Sequence, residues 1–401
     1  MSARQALHNI LEHSDLSFQD FVEVALYHPE HGYYSQGRSP VGREGDFVTS
    51  PLLSPVFSCT LGRLVREFLS HYTDEVCSIV DIGCGDGSLI RELANAPHPA
   101  FGHPLPAQRG EGQPEGQSTH GQPMPVALLS AGGEKVPEGR MRGVRFFGVD
   151  RSLSRVVPAE GVTYVRTLDE IPRGGAHLII SNELFDALPF ARLVRRGDDL
   201  HELWVTERDG ALDWIEREAP PAYEVYFAAR GVELQDGQFA DISLEWEALY
   251  ADICSVVERG LIVTFDYGYP QSQLFHPRAR RFGTAAAYAQ QRVTRDLLAH
   301  PGQQDLTAHI NFDDLIRAGE ARGLSTRFFD RQAKFLLALR AAEHEVFSRQ
   351  PASVDEAIAL RQEREDARRL LLPDDIGHDI RVLVQAKPSG DDAWSFERPL
   401  F

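Results

Sequence analysis

Cysteine is scarce in this chain. Cys59, Cys77, Cys84 and Cys254 are the only four among 401 residues. No two form a C-x-x-C pair, so neither a zinc site nor a disulfide framework is indicated. They read as free thiols in a reducing compartment. Long apolar runs are missing as well. No stretch approaches the ~18 residues of a membrane span, and the N-terminus lacks the apolar region of a signal peptide. These absences give the expectation of a cytoplasmic chain with no membrane partner. Positive charge also falls short, with 41 Lys and Arg against 59 Asp and Glu, a net charge of −18 and a pI near 5.3. That balance argues against a nucleic-acid backbone as the main partner and suits a basic peptide. Lysine is nearly absent (Lys135, Lys334 and Lys387), which reads as coding bias. Apolar material is ample, 42% of residues, enough for a large core in a chain of two- or three-domain length.

One stretch organises the rest. Ser78, Ile79 and Val80 read as a short buried strand, and Leu89, Ile90 and Leu93 recur after it at helical spacing. Between them Asp81, Gly83, Gly85 and Gly87 form a D-x-G-x-G-x-G turn. A strand, a glycine turn and a helix present backbone to a ligand at the carboxyl edge of an α/β sheet. A dinucleotide loop would want its third glycine where Ser88 stands, so the spacing argues against that ligand. Such a turn is completed by an acid ~20 residues beyond its first glycine, which takes the ribose hydroxyls. The next good strand, Val144 to Val149, ends at Asp150, 67 residues after Gly83. Residues 97–143, however, hold eight Pro and nine Gly among 47, above the ~25–30% of low-complexity chain. With those 47 set aside, Asp150 falls 20 residues after Gly83. The segment is expected to be a disordered surface insertion, and Asp150 a ribose contact.

Along the rest of the chain, Ser17 with Asp20 three residues on predicts a helix cap. Phe18, Phe21, Val22, Ala25 and Leu26 mark that helix's inner face, and Pro29 stops it. Ser54 and Pro55 open a further helix. Between the two lies a glycine-rich loop carrying aromatics and charge, a kind more often functional than filler. Strands are expected at 162–165, 177–181 and 261–265, the last two delivering Asn182, Glu183 and Asp266 to the carboxyl edge. Residues 190–240 read as a substrate-covering meander, and 270–302 show no period. A charged helix over 354–371 and strands at 325–329 and 380–385 follow. The expected division is 1–75 as N-terminal helical cap and loop, 76–270 as cofactor-binding core, and 271–401 as completion of the sheet.

A resemblance becomes specific at this point. Tyr27, Pro29, Gly32, Tyr33 and Tyr34 are followed by Gly45, Asp46, Phe47, Thr49, Ser50 and Pro51. Three further blocks stand at 182–189, 266–269 and 305–312, and a last at Gln332, Phe335 and Leu336. This ordered set resembles the MidA-like methyltransferases, a family that includes the mitochondrial complex I assembly arginine methyltransferase. The chain departs from the family's usual residues at Asp81 and Asp150, where Glu is usual, at Cys84 for Pro, and at Leu52 for Glu. The resemblance implies an α/β fold, a Rossmann-like class I methyltransferase sheet with an N-terminal helical cap and a smaller substrate-covering region. It implies S-adenosylmethionine as cofactor, held by Asp81, Gly83, Gly85, Gly87, Asp150, Asn182, Phe47 and Thr49, and no metal. The implied reaction is methylation of arginine in a protein partner, such as a respiratory-complex subunit. An arginine acceptor is cationic at physiological pH, so carboxylates are needed to orient it and to take its proton. Glu183, Asp186 and Asp46 are the catalytic candidates. Asp266, Tyr267, Asp305 and His309 are the substrate-binding ones. Bland roles compete: Asp186 as a helix cap, Asp266 as a turn-former, His309 as a structural histidine. Two other functions stay open, methylation of a small molecule and an assembly factor that binds the cofactor without catalysis.

Overall fold

Seven strands run across the eight-stranded central sheet of the computed structural model, which describes residues 3–35, 49–73, 75–96, 143–289, 292–372 and 375–387; the eighth, Ile310–Asn311, pairs off this path with Gly268 and Tyr269. Asp46, Phe47 and all of the 97–143 insertion except Gly143 lie outside the described residues. The strands are β1 (Cys77–Ile82), β2 (Val144–Val149), β3 (Val162–Val165), β4 (Ala176–Asn182), β5 (Gly260–Tyr269), β6 (Ser325–Arg331) and β7 (Ile380–Lys387). Their order is β3-β2-β1-β4-β5-β7-β6. The first five pair in parallel, and β7 runs antiparallel to both its neighbours. β1 is buried along its whole length and β4 along all but its last residue, the apolar pattern of parallel strands covered on both faces.

Alternate residues of these strands feed two cores. Ile79, Leu178 and Leu261 face one, with α3 (Pro55–His71), α4 (Ser88–Asn95) and α7 (Val354–Leu371) packed over them. Val80, Ile179 and Ile262 face the other, beneath α1 (Ala3–Leu11), α2 (Phe18–Tyr27), α5 (Glu245–Val256) and α6 (Phe312–Glu320). The N-terminal stretch therefore does not pack as one cap, since α2 and α3 sit on opposite faces of the sheet. Each fully buried large side chain, Phe18 and Phe57 among them, contributes about 1.5–3 kcal/mol by leaving water.

A second sheet joins Ala191–Arg196, Asp199–Arg208, Ala211–Glu218 and Phe239–Ile242, with Leu16–Ser17 added ahead of α2. It packs on the N-terminal helices, Phe18 meeting Phe190 at 5.5 Å and Trp214 at 4.9 Å between ring centroids. No residue of 190–240 lines the large cleft described below. A hairpin emerges from the stretch without sequence period, Ala286–Ala289 pairing with Arg292–Thr294 and with Asp305–Thr307. Its register sets Tyr288 opposite Asp305.

Candidate active site

Strand order reverses between β1 and β4, and ligands of open α/β sheets bind in the crevice beyond such a reversal. A cleft of about 720 Å³ opens there. One end is built by the glycine turn. Gly83, Gly85 and Gly87 have φ of 73°, 57° and 76°, left-handed values that side chains resist. A Cβ on Gly83 would also stand 2.8 Å from Leu184 Cδ1. The turn is held by Gly83 N and Cys84 N donating to Val149 O at 2.8 and 3.1 Å. Asp150 braces it from β2: Gly85 N donates to one carboxylate oxygen at 2.9 Å, and Ser152 N to the other at 3.0 Å. Each oxygen keeps a further lone pair toward the cleft. Asp81 lies beneath, and burial, then the charges of Asp150 and Asp86, pushes it up to about 8. The cradle fits a nucleoside: main chain without Cβ, an acid at the next strand's end, and Asn182 Oδ1 buried with no partner.

The other end is acidic and aromatic. Glu183, Asp186 and Asp305 line it with Tyr27, Tyr34, Tyr267 and Tyr288. Glu183 has a φ of 52°, a conformation that costs a non-glycine residue about 1–3 kcal/mol and clusters at functional sites. Its Oε1 accepts from Asn182 Nδ2 at 3.0 Å and from Ser50 N at 3.4 Å. Ser50 is fixed in turn, its hydroxyl donating to Gln332 Oε1 at 3.0 Å, which explains why those two blocks occur together. Desolvation lifts Glu183 from 4.5 to about 8, and the charges of Asp266 and Asp305 add to it. Burial and the neighbouring Asp266 likewise hold Asp186 well above its ordinary range. Tyr34 donates to Asp305 Oδ1 at 2.9 Å and stacks on Tyr27 at 5.5 Å. Among the described residues, no Lys or Arg pairs with Glu183, Asp186 or Asp266.

The structure sorts the sequence candidates. Asp81, Gly83, Gly85, Asp150, Asn182, Thr49, Glu183, Asp186, Tyr267 and Asp305 all line the cleft. Three candidates do not. Gly87 turns the chain into α4, where a Cβ would stand 2.8 Å from Tyr164. Asp266 is fully buried behind the wall, its carboxylate accepting from the amides of Leu184, Phe185, Asp186 and Tyr267 at 2.8–3.3 Å. The substrate contact expected of it is corrected to a turn-forming role. His309 lies behind Tyr267, stacked on it at 6.2 Å, and burial lowers it to about 4. It is a neutral structural histidine, not a ligand of the cleft. Asp46 and Phe47 fall outside the described residues. Sequence reasoning gave no role to Tyr34 or Tyr288. Tyr34 belongs to a quoted block, but its partner Asp305 is 271 residues away, and Tyr288 sits where no period is visible.

Comparison with known proteins agrees with this geometry. Residues 151–329 match the family model described as "Putative S-adenosyl-L-methionine-dependent methyltransferase". A Drosophila melanogaster protein, "Protein arginine methyltransferase NDUFAF7 homolog, mitochondrial", is 26% identical over 338 residues, 80% of this chain and 70% of that one. The Homo sapiens protein arginine methyltransferase NDUFAF7, mitochondrial, is 23% identical over 325 residues, 80% and 69% of the two chains. A crystal structure from Burkholderia thailandensis, bound to S-adenosyl-homocysteine, superposes with a TM-score of 0.77 at 24% identity, over 98% of this chain and 93% of that one. The relatives' names overturn the cytoplasmic expectation, since both are mitochondrial proteins. Free thiols separate reducing from oxidising compartments and do not tell one reducing compartment from another. Fold, glycine cradle, ordered sequence blocks and relatives converge: the chain has the fold of a class I S-adenosylmethionine-dependent methyltransferase and is similar to the MidA-like methyltransferases.

Proposed function

We propose that the chain methylates an arginine side chain of a protein. The observation that carries this reading is the cluster of Glu183, Asp186 and Asp305 at the far end of the cleft from the glycine turn. A guanidinium needs opposing carboxylates to be held and to lose its proton as the N–C bond forms. The relatives named as protein arginine methyltransferases support the same acceptor. S-adenosylmethionine supplies, when bound, a methyl group on a sulfonium that leaves as a neutral thioether. Gly83 and Gly85 give it backbone without Cβ, Asp150 takes ribose hydroxyls, and Asn182 offers its unpartnered Oδ1. Asp186 and Asp305 orient the acceptor cation, while Glu183 receives the proton from the nitrogen that becomes methylated. The tyrosines around them exclude water, which strengthens each charge interaction.

Incubating the chain with deuterated S-adenosylmethionine and a mitochondrial lysate, then locating the label by mass spectrometry, tests the acceptor. Label on arginine of a protein is the expected result, and label confined to a small metabolite would refute it. The cofactor half is tested separately. Asp150→Ala removes the ribose acceptor and the brace on Gly85 together, so calorimetry should show S-adenosylmethionine affinity weakened by about 1.5–3 kcal/mol. Unchanged affinity would take Asp150 out of the site.

A further inference from the structure

Tyr269 closes β5 two residues beyond Tyr267, just outside the cleft. Three side chains pack around its ring. Arg280 Cζ lies 4.5 Å from the ring centroid, Arg381 Cζ 5.8 Å, and the His309 ring centroid 5.3 Å. Each carries a nitrogen that is buried with no hydrogen-bond partner: Arg280 Nε, Arg381 Nε and His309 Nδ1. Arg331 stands opposite Arg381 in the β6–β7 register. The nearby acids are already engaged. Asp330 accepts from Lys334 Nζ at 2.6 Å and from the Arg331 amide at 2.8 Å, and approaches Arg381 Nη1 only to 4.0 Å. Asp379 is paired with His378 at 3.2 Å. Asp266, opposite Arg381 in the β5–β7 register, is taken up by four backbone amides, so four cations, Arg280, Arg331, Arg381 and Lys334, face three carboxylates in a chain whose net charge is −18. The two guanidinium Nε donors left unmade cost free energy, and a carboxylate paired with either guanidinium offsets part of it.

We infer that this cationic rim binds a carboxylate side chain, Asp or Glu, of the protein that brings the methyl acceptor. The inference rests on the reading that the acceptor belongs to a protein. Position favours a residue of that protein over a free anion. Tyr267 lines the cleft on one side and stacks on His309 at 15° on the other, and His309 meets the Tyr269 ring at 5.3 Å, so an unbroken run of rings joins the acceptor end to the rim. An extended chain advances about 3.3–3.6 Å per residue, and an acid a few positions from the acceptor spans that gap. Guanidinium forks match carboxylate geometry with paired hydrogen bonds. Acidic cleft and basic rim together select a segment that carries both signs of charge, one the net negative charge of the chain would otherwise repel in part.

Fluorescein-labelled peptides without arginine test the rim apart from the methyl transfer. Three differ only in a central pair, Glu-Glu, Gln-Gln or Lys-Lys, and binding to the full chain is read by anisotropy. The Glu peptide should bind about tenfold tighter than the Gln peptide, the scale of one charge-assisted hydrogen bond, with the Lys peptide weakest. Combining Arg280→Gln with Arg331→Gln should bring the Glu and Gln peptides to within about twofold, whereas the corresponding Lys pair, keeping the charge, should retain most of the preference. S-adenosyl-homocysteine affinity, unchanged in both variants, reports an intact cleft. Equal binding of the Glu and Gln peptides to the unaltered chain would overturn the inference. So would millimolar phosphate protecting the chain against heat as well as the Glu peptide does, which would make the rim a site for free anions. Since no peptide contains arginine, failure to methylate arginine would sink the proposed acceptor and leave the measured rim preference standing.

Discussion

Replacing Glu183 by glutamine is expected to leave S-adenosylmethionine affinity near that of the unaltered chain while lowering methyl transfer to arginine by at least ~100-fold, the scale of general acid–base effects. Glutamine keeps an oxygen for Asn182 Nδ2 and Ser50 N, so the turn after β4 should hold its shape. What it removes is the carboxylate of that turn to which the acceptor's proton is assigned, leaving Asp186 in place to meet the cation. The pH dependence adds a sign. Desolvation, with Asp266 and Asp305 adding their charges, puts Glu183 at about 8. In the free chain it is mostly protonated at neutral pH, and a base works only when ionised. Turnover at low substrate should therefore climb with pH and level off above about 8, and the residual activity of Glu183→Gln should lack that climb. Stability runs the opposite way. The folded chain keeps this proton where the unfolded chain releases it, so the contribution is fully present below about 4.5 and lost as pH rises through about 8. Relative to the unaltered chain, Glu183→Gln should melt higher at pH 9 than it does at pH 5. Full turnover in the variant, measured by mass spectrometry of arginine peptides, would remove Glu183 from the chemistry.

The parts of this site that local sequence encodes were legible in it, and the parts made by distant pairing were not. Ile79 and Val80 before a glycine turn announce β1 because a strand covered on both faces is mostly apolar. Asp150 became legible once the Pro- and Gly-rich segment was set aside, since β2 then follows at the ordinary spacing. Glu183 could be placed because the apolar run Leu178 to Ile180 ends two residues before Asn182. By contrast, the wall formed by Tyr34, Tyr288 and Asp305 depends on the register of a hairpin and on a bond across 271 residues. Neither leaves a period in the chain. Asp266, at a strand end, and His309, in the 305–312 block, suit a substrate contact by residue type alone. Their burial, which sequence does not report, gives them structural work instead.

Asp266 carries the second large effect. Its carboxylate is fully buried and accepts four backbone amides, from Leu184, Phe185, Asp186 and Tyr267, at 3.2, 2.8, 3.3 and 2.9 Å. Three of them belong to the turn that carries Glu183 in its left-handed conformation, and Trp246 Nε1 secures the same turn by donating to Phe185 O at 2.7 Å. Asp266→Ala would leave those amides without their acceptor in a fully buried site. A loss of about 3–5 kcal/mol is expected, seen as a melting temperature lower by roughly 5–10 °C. Asparagine should rescue little. Its NH2 would point a donor at amides that are themselves donors, so one side of the cluster stays unsatisfied whichever way the group is turned. Activity should change by a route that instability alone does not supply. Asp266 is one of the charges holding Glu183 and Asp186 above their ordinary range, and its removal lets both ionise at lower pH. In whatever Asp266→Asn remains folded, the rise of turnover with pH should shift to more acid values even as the maximum falls. A lower maximum with an unmoved pH midpoint would confine Asp266 to shaping the turn and deny it any part in tuning the carboxylates of the cleft.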